Sequence, residues 1–72
     1  MKVAHVTVVT PHLAGLYETT RDLVEAERRA GIDARIVDPV NEIVTVDRGV
    51  PVAERAFAEE CHVLVNHSAR DW

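Results

Sequence analysis

A single cysteine, Cys61, cannot build an internal disulfide framework, and a lone thiol fits a reducing, cytoplasmic setting. Aromatic residues are equally scarce: one Phe, one Tyr and one Trp in 72 positions offer no platform on which nucleic-acid bases could stack. Lys and Arg number 8 against 12 Asp and Glu and form no tract, so at a formal net charge of -4 neither nucleic acid nor an anionic membrane is expected as a main partner. No apolar run approaches the roughly 20 residues that span a bilayer. The amino terminus has one Lys and a Val-rich run of strand length without a small-residue cleavage site, so it does not read as a signal peptide. Internal repeats and low-complexity segments are also missing.

Hydrophobic residues make up 47% of the chain, enough for one globular domain over residues 1–72. A domain this small buries only about 60% of the surface its unfolded chain exposes, so its core is thin and an unfinished sheet would look for a partner.

The chain is organised around the stretch from Val3 to Gly31. Its opening run, VAHVTVV, is nearly continuous in apolar and β-branched residues, the pattern of a strand covered on both faces. Pro11 cannot donate to a ladder and biases Thr10 away from helical angles, which ends the strand near Thr10. After the turn TPHLAG, the spacing of Leu16, Thr20, Leu23, Val24 and Glu27 predicts a helix over 15–30 with that stripe on the sheet. Arg21, Asp22, Glu25, Arg28 and Arg29 take the other side, and Gly31 stands where a left-handed cap is wanted. Ile32 to Asp38 predicts a second strand, parallel and adjacent to the first through a right-handed crossover.

Beyond Asp38 the pattern is weaker. Asn41 to Val46 suggests a short third strand at the sheet edge, Val52 to Glu60 a short helix, and Cys61 to Asn66 a last strand. The expected architecture is therefore α/β: a small Rossmann-like half domain with a mostly parallel sheet of three to four strands in the order 3-2-1-4 and one helix on each face. That order has a switch point between the first and last strands, where ligands of open α/β sheets gather at the carboxyl ends. The candidate ligand-binding residues there are His12, Gly15, His67 and Ser68, with Asp38 one strand further along.

Each candidate has a plainer role beside the functional one. His5, inside the first strand, reads as a hydrogen-bonded core histidine. His12, on a loop, fits an exposed spacer as well as a ligand, and His67 divides evenly between ligand contact and structure. Asp38 sits where an acid reads a ribose hydroxyl in dinucleotide-binding domains, yet HLAG is not GxGxxG and no dinucleotide cofactor is expected. Cys61-His62 and His67 lack the paired spacing of a zinc site, so no metal is expected. No GxSxG accompanies Ser68, His67 and Asp38, which leaves hydrolase chemistry unsupported. No catalytic residue is assigned.

The residues MKVAHVTVVTP, a Gly-bearing turn with a following Glu, and a helix closing on AGIDARIVDP resemble the amino-terminal domain of GT-B fold glycosyltransferases related to family 4. AFAEECHVLVNHS is similar to their short helix and following strand with its His-Ser pair, and together these segments cover most of the chain in order. The sequence departs from the family in having Ala14-Gly15 in place of two adjacent glycines. The resemblance implies a truncated, acceptor-side module that lacks the donor-binding domain, is inactive alone, and meets a nucleotide sugar or glycan acceptor only when a second domain completes it. In the family that second domain carries two glutamates eight positions apart, a spacing found nowhere here. The other expectation is a structural or interaction module that self-associates or docks on another chain through its open sheet.

Overall fold

The computed structural model describes residues 1–9 and 14–67. They form an α/β fold in which five strands make one mixed sheet and two helices pack against it. The strands are β1 (Lys2–Val6), β2 (Asp33–Val37), β3 (Thr45–Asp47), β4 (Val50–Ala53) and β5 (Val63–Asn66), and the helices are α1 (Ala14–Arg29) and α2 (Arg55–Glu60). The sheet order is β3-β4-β2-β1-β5. Parallel pairing joins β1 to β2, β1 to β5 and β2 to β4, whereas β3 and β4 are antiparallel.

The first half of the chain follows its periodicity, with one shift. β1 ends at Val6, short of Thr10, because its neighbour β2 ends at Val37: the Thr7 N–H takes the Val37 carbonyl, and the Val9 N–H turns to the Asp38 side chain. α1 closes in a Schellman motif, in which Ile32 N–H reaches the Glu27 carbonyl and Gly31 N–H the Arg28 carbonyl. Gly31 adopts φ 88°, a left-handed angle that costs glycine little.

The buried face of α1 is rotated from the expected stripe. Thr20, Arg21 and Val24 are buried, while Leu16 and Leu23 are 40% and 45% exposed. Polar contacts set the rotation: Tyr17 Oη and Arg21 Nη1 both donate to Asp47 Oδ2, at 2.9 and 2.8 Å, and Arg28 Nη1 donates to the Ala34 carbonyl at 3.0 Å. Arg21 thus lies on the inner side of α1, opposite to its expected side.

The second half departs further. Instead of a lone edge strand at 41–46, the chain forms a β3–β4 hairpin closed by Arg48 and Gly49, whose φ values of 54° and 82° are those of a two-residue primed turn. Val50–Ala53 is strand where helix was expected to begin, and α2 starts only at Arg55. Pro51 is accommodated because pairs alternate along an antiparallel ladder. Asp47 and Val50 flank the turn as a hydrogen-bonded pair, so Val46 and Pro51 fall on a non-bonded one.

Strand alternation divides the core in two. Val3, Ala34, Ile36, Val50 and Val52 pack under Val24 of α1, and Ala4, Val37 and Ala53 pack under Phe57 and Ala58 of α2. The helices therefore lie on opposite faces. Among the described residues β5 is paired on one side only, and Val63, Leu64 and Val65 are 45%, 38% and 36% exposed on its two faces.

Candidate functional site

Because β1 leads through α1 to β2 while β4 leads through α2 on the opposite face to β5, the winding reverses between β1 and β5. His67 follows β5 at the carboxyl end of that pair. Its backbone N–H is held by the Val6 carbonyl at 2.9 Å, and at the other end Lys2 and His62 exchange bonds of 2.9 Å. β5 is thus pinned to β1 at both limits of the register.

The His67 side chain meets His5. Nε2 of His67 lies 2.8 Å from Nδ1 of His5, with ring planes 17° apart and centroids separated by 5.1 Å. That centroid spacing is what two imidazoles joined nitrogen to nitrogen in nearly one plane give, so the contact is a hydrogen bond along the rings rather than a face-to-face stack. The other nitrogen of His5, Nε2, is hydrogen-bonded to Oε1 of Glu27, which reaches down from α1. His5 is 1% exposed and Glu27 partly buried, so a polar chain runs Glu27, His5, His67 from the helix to the sheet end. Burial pushes the His67 imidazole below the ordinary histidine value, His5 pushes the same way, and the Glu27 charge opposes both.

Asp38 has a different environment. It is 2% exposed and its carboxylate accepts four hydrogen bonds: from Val9 N–H, Val40 N–H, Asn41 N–H and Asn41 Nδ2, at 2.8 to 2.9 Å. Burial alone would raise its pKa, but the bonds from Asn41, Val9 and Val40 outweigh it and hold the carboxyl below its usual range. With these bonds Asp38 ties the segments after β1 and β2 together. It follows β2 while His67 follows β5, on either side of β1, and the two are not brought into contact.

Gly15 lies in the first turn of α1, with open space where a Cβ would stand. His12 and Ser68 fall outside the described residues. Thr7, next along the chain from the last β1–β5 pair, is wholly buried, and its hydroxyl has no partner among the described residues.

His5 and Glu27 were the participants missed as site residues. The available signal was a histidine within a strand apolar on both faces and a glutamate on the sheet-facing side of the following helix: two polar groups with only each other's surfaces to meet. No three His, Cys, Asp or Glu among the described residues are grouped to hold a metal. A shallow cleft of about 420 Å³ beside α2 lies elsewhere, and its arginine is already engaged: Arg35 pairs with Asp33 and covers the Phe57 ring at 4.4 Å. No described helix is long and apolar enough to cross a membrane.

No protein-family model, curated protein or solved structure matches this chain. What fold and site define is a class: a small mixed-sheet α/β domain with a linked histidine pair at the carboxyl ends of its central strands.

Proposed function

We propose that the chain is a glycosyltransferase-like, acceptor-side module of Rossmann-like character whose ligand contact is His67. The observation that carries this reading is the position of His67 at the carboxyl end of the β1–β5 pair, where the winding reverses and where open α/β sheets bind ligands. The position of β5 as the last strand among the described residues, with its valines and leucine exposed, supports it as well, since a larger sheet would continue there. The 72 residues contain no pair of glutamates eight positions apart to grip a nucleotide-sugar donor, so by themselves they are expected neither to transfer a sugar nor to hydrolyse a nucleotide sugar. Turnover with a panel of nucleotide sugars, lost on His67→Ala, would overturn that expectation; binding of a glycoside at His67 tests the acceptor role.

A second reading, self-association through β5, is favoured by one observation: Val63, Leu64 and Val65 are 45%, 38% and 36% exposed on the strand that ends the sheet among the described residues. A symmetric two-fold contact would cover that strand in both subunits with one patch. Sedimentation equilibrium over a wide concentration range tests it, and a monomer mass throughout counts against it.

A further inference from the structure

We propose that Glu27, His5 and His67 form a directional proton relay that leaves Nδ1 of His67 as a base presented to a hydroxyl group of a ligand, a proposal that rests on the acceptor-side reading for its ligand but not for its geometry. The direction follows from donor and acceptor counting. A carboxylate only accepts, so Nε2 of His5 carries the proton shared with Glu27. A neutral His5 then has a bare Nδ1, which accepts from Nε2–H of His67. A neutral His67 has spent its one proton in that bond, and its Nδ1 is left with a lone pair. Among the described residues nothing else bonds to that nitrogen.

The relay lets His67 take up a proton without leaving charge at the strand end. A proton leaving a ligand hydroxyl joins Nδ1 of His67, and the oxygen keeps the electron pair of the broken O–H bond. The Nε2 proton of His67 passes to Nδ1 of His5, making His5 an imidazolium that retains its Nε2 proton against the Glu27 carboxylate. His67 ends neutral, with its proton moved to the ligand side, and the positive charge rests in the buried pair. His67 is the group that touches the ligand; His5 from β1, bonded to His67, and Glu27 from α1, bonded to His5 and felt by His67 through its charge, are positioning residues.

Long-range proton–nitrogen correlation spectra of the ¹⁵N-labelled chain at neutral pH test this. The expected result is a His67 ring with Nε2 protonated and Nδ1 unprotonated, and a His5 ring likewise. A His67 ring with Nδ1 protonated and Nε2 bare would mean that His5 already holds both protons, and would overturn the relay. That wild-type measurement decides the matter whether or not any variant folds. In Glu27→Gln, whose amide donates as readily as it accepts, His67 is expected to become a mixture of tautomers and its pKa to fall further, because the charge that held it up is gone. An unchanged tautomer and pKa in that variant also overturn the relay. Methyl glucoside added to the wild-type sample reads the ligand separately: a shift of the Nδ1 resonance supports a base aimed at hydroxyls, and a bare Nδ1 that the glycoside leaves unmoved overturns the acceptor-side reading and not the relay.

Discussion

The Asp38 carboxylate accepts the backbone N–H of Val9 at 2.8 Å, and with its other oxygen the N–H groups of Val40 and Asn41 at 2.9 Å. One buried side chain therefore fixes the exits of β1 and β2. Asp38→Ala leaves these donors unpaired and should cost about 2 to 4 kcal/mol, a large part of the roughly 4 to 10 kcal/mol that a domain of this length holds. Urea denaturation of the two proteins checks this. Since the folded pKa of Asp38 lies below its unfolded value, its contribution is present above the unfolded value near 4 and disappears as pH falls through the folded one.

His67 gives a second and separate pH dependence. Its folded pKa is depressed, so the unfolded chain binds the proton more readily and stability rises with pH across the window between the two values. Stability should decline as pH drops below about 6.5. In His67→Gln this segment of the stability profile should flatten, which thermal unfolding across pH 5 to 8 measures, the range in which histidine titrates.

Tyr17 is the chain's one tyrosine, which makes its titration easy to isolate. Desolvation first, then the hydrogen bond to Asp47 and that carboxylate's charge, push its pKa up to about 12, with Arg21 opposing. Near-ultraviolet absorbance should show tyrosinate forming near that value, and Asp47→Asn should bring it down part of the way towards 10. Because the folded pKa is raised, the contribution of Tyr17 to stability is present below 10 and lost as pH rises through about 12. The same substitution should loosen the β3–β4 hairpin, seen as faster amide exchange at Val50, whose pair with position 47 is a hydrogen-bonded one, since Arg21 and Tyr17 both hold the hairpin through Asp47.

If self-association uses β5, a charge placed on its exposed face should prevent it. Val65→Lys should give a monomer at concentrations where the parent chain is dimeric, with little loss of stability because Val65 is already 36% exposed. Equal masses for the two proteins would remove β5 from the contact.

The first half of the fold was legible because its periodicities are strong: VAHVTVV reads as a buried strand, and Gly31 marks the helix end that the Schellman bonds occupy. The β3–β4 hairpin was not, because Arg48 has no local reason to adopt a positive φ, and VPVAERAF has apolar spacing that suits a helix as well as a strand. Tertiary pairing with Ile36 and Val37 decides that ambiguity. The rotation of α1 was hidden for a similar reason: Arg21 is an outer-face residue by type and becomes an inner one only when Asp47, 26 positions away, is brought beside it. At the site, the place of His67 was legible from strand order. Its hydrogen-bonded link to His5 was not, because 62 positions separate the two and the contact exists only once β5 is registered on β1.

The most direct test of the acceptor-side reading is an amide and imidazole NMR titration of the whole chain with methyl glucoside. Shifts concentrated on His67, Val6 and Thr7, and abolished in His67→Ala while that variant's remaining spectrum stays folded, are the predicted result. No shift up to the highest glycoside concentration, or shifts confined to Arg35 and Phe57 in the cleft beside α2, would contradict it.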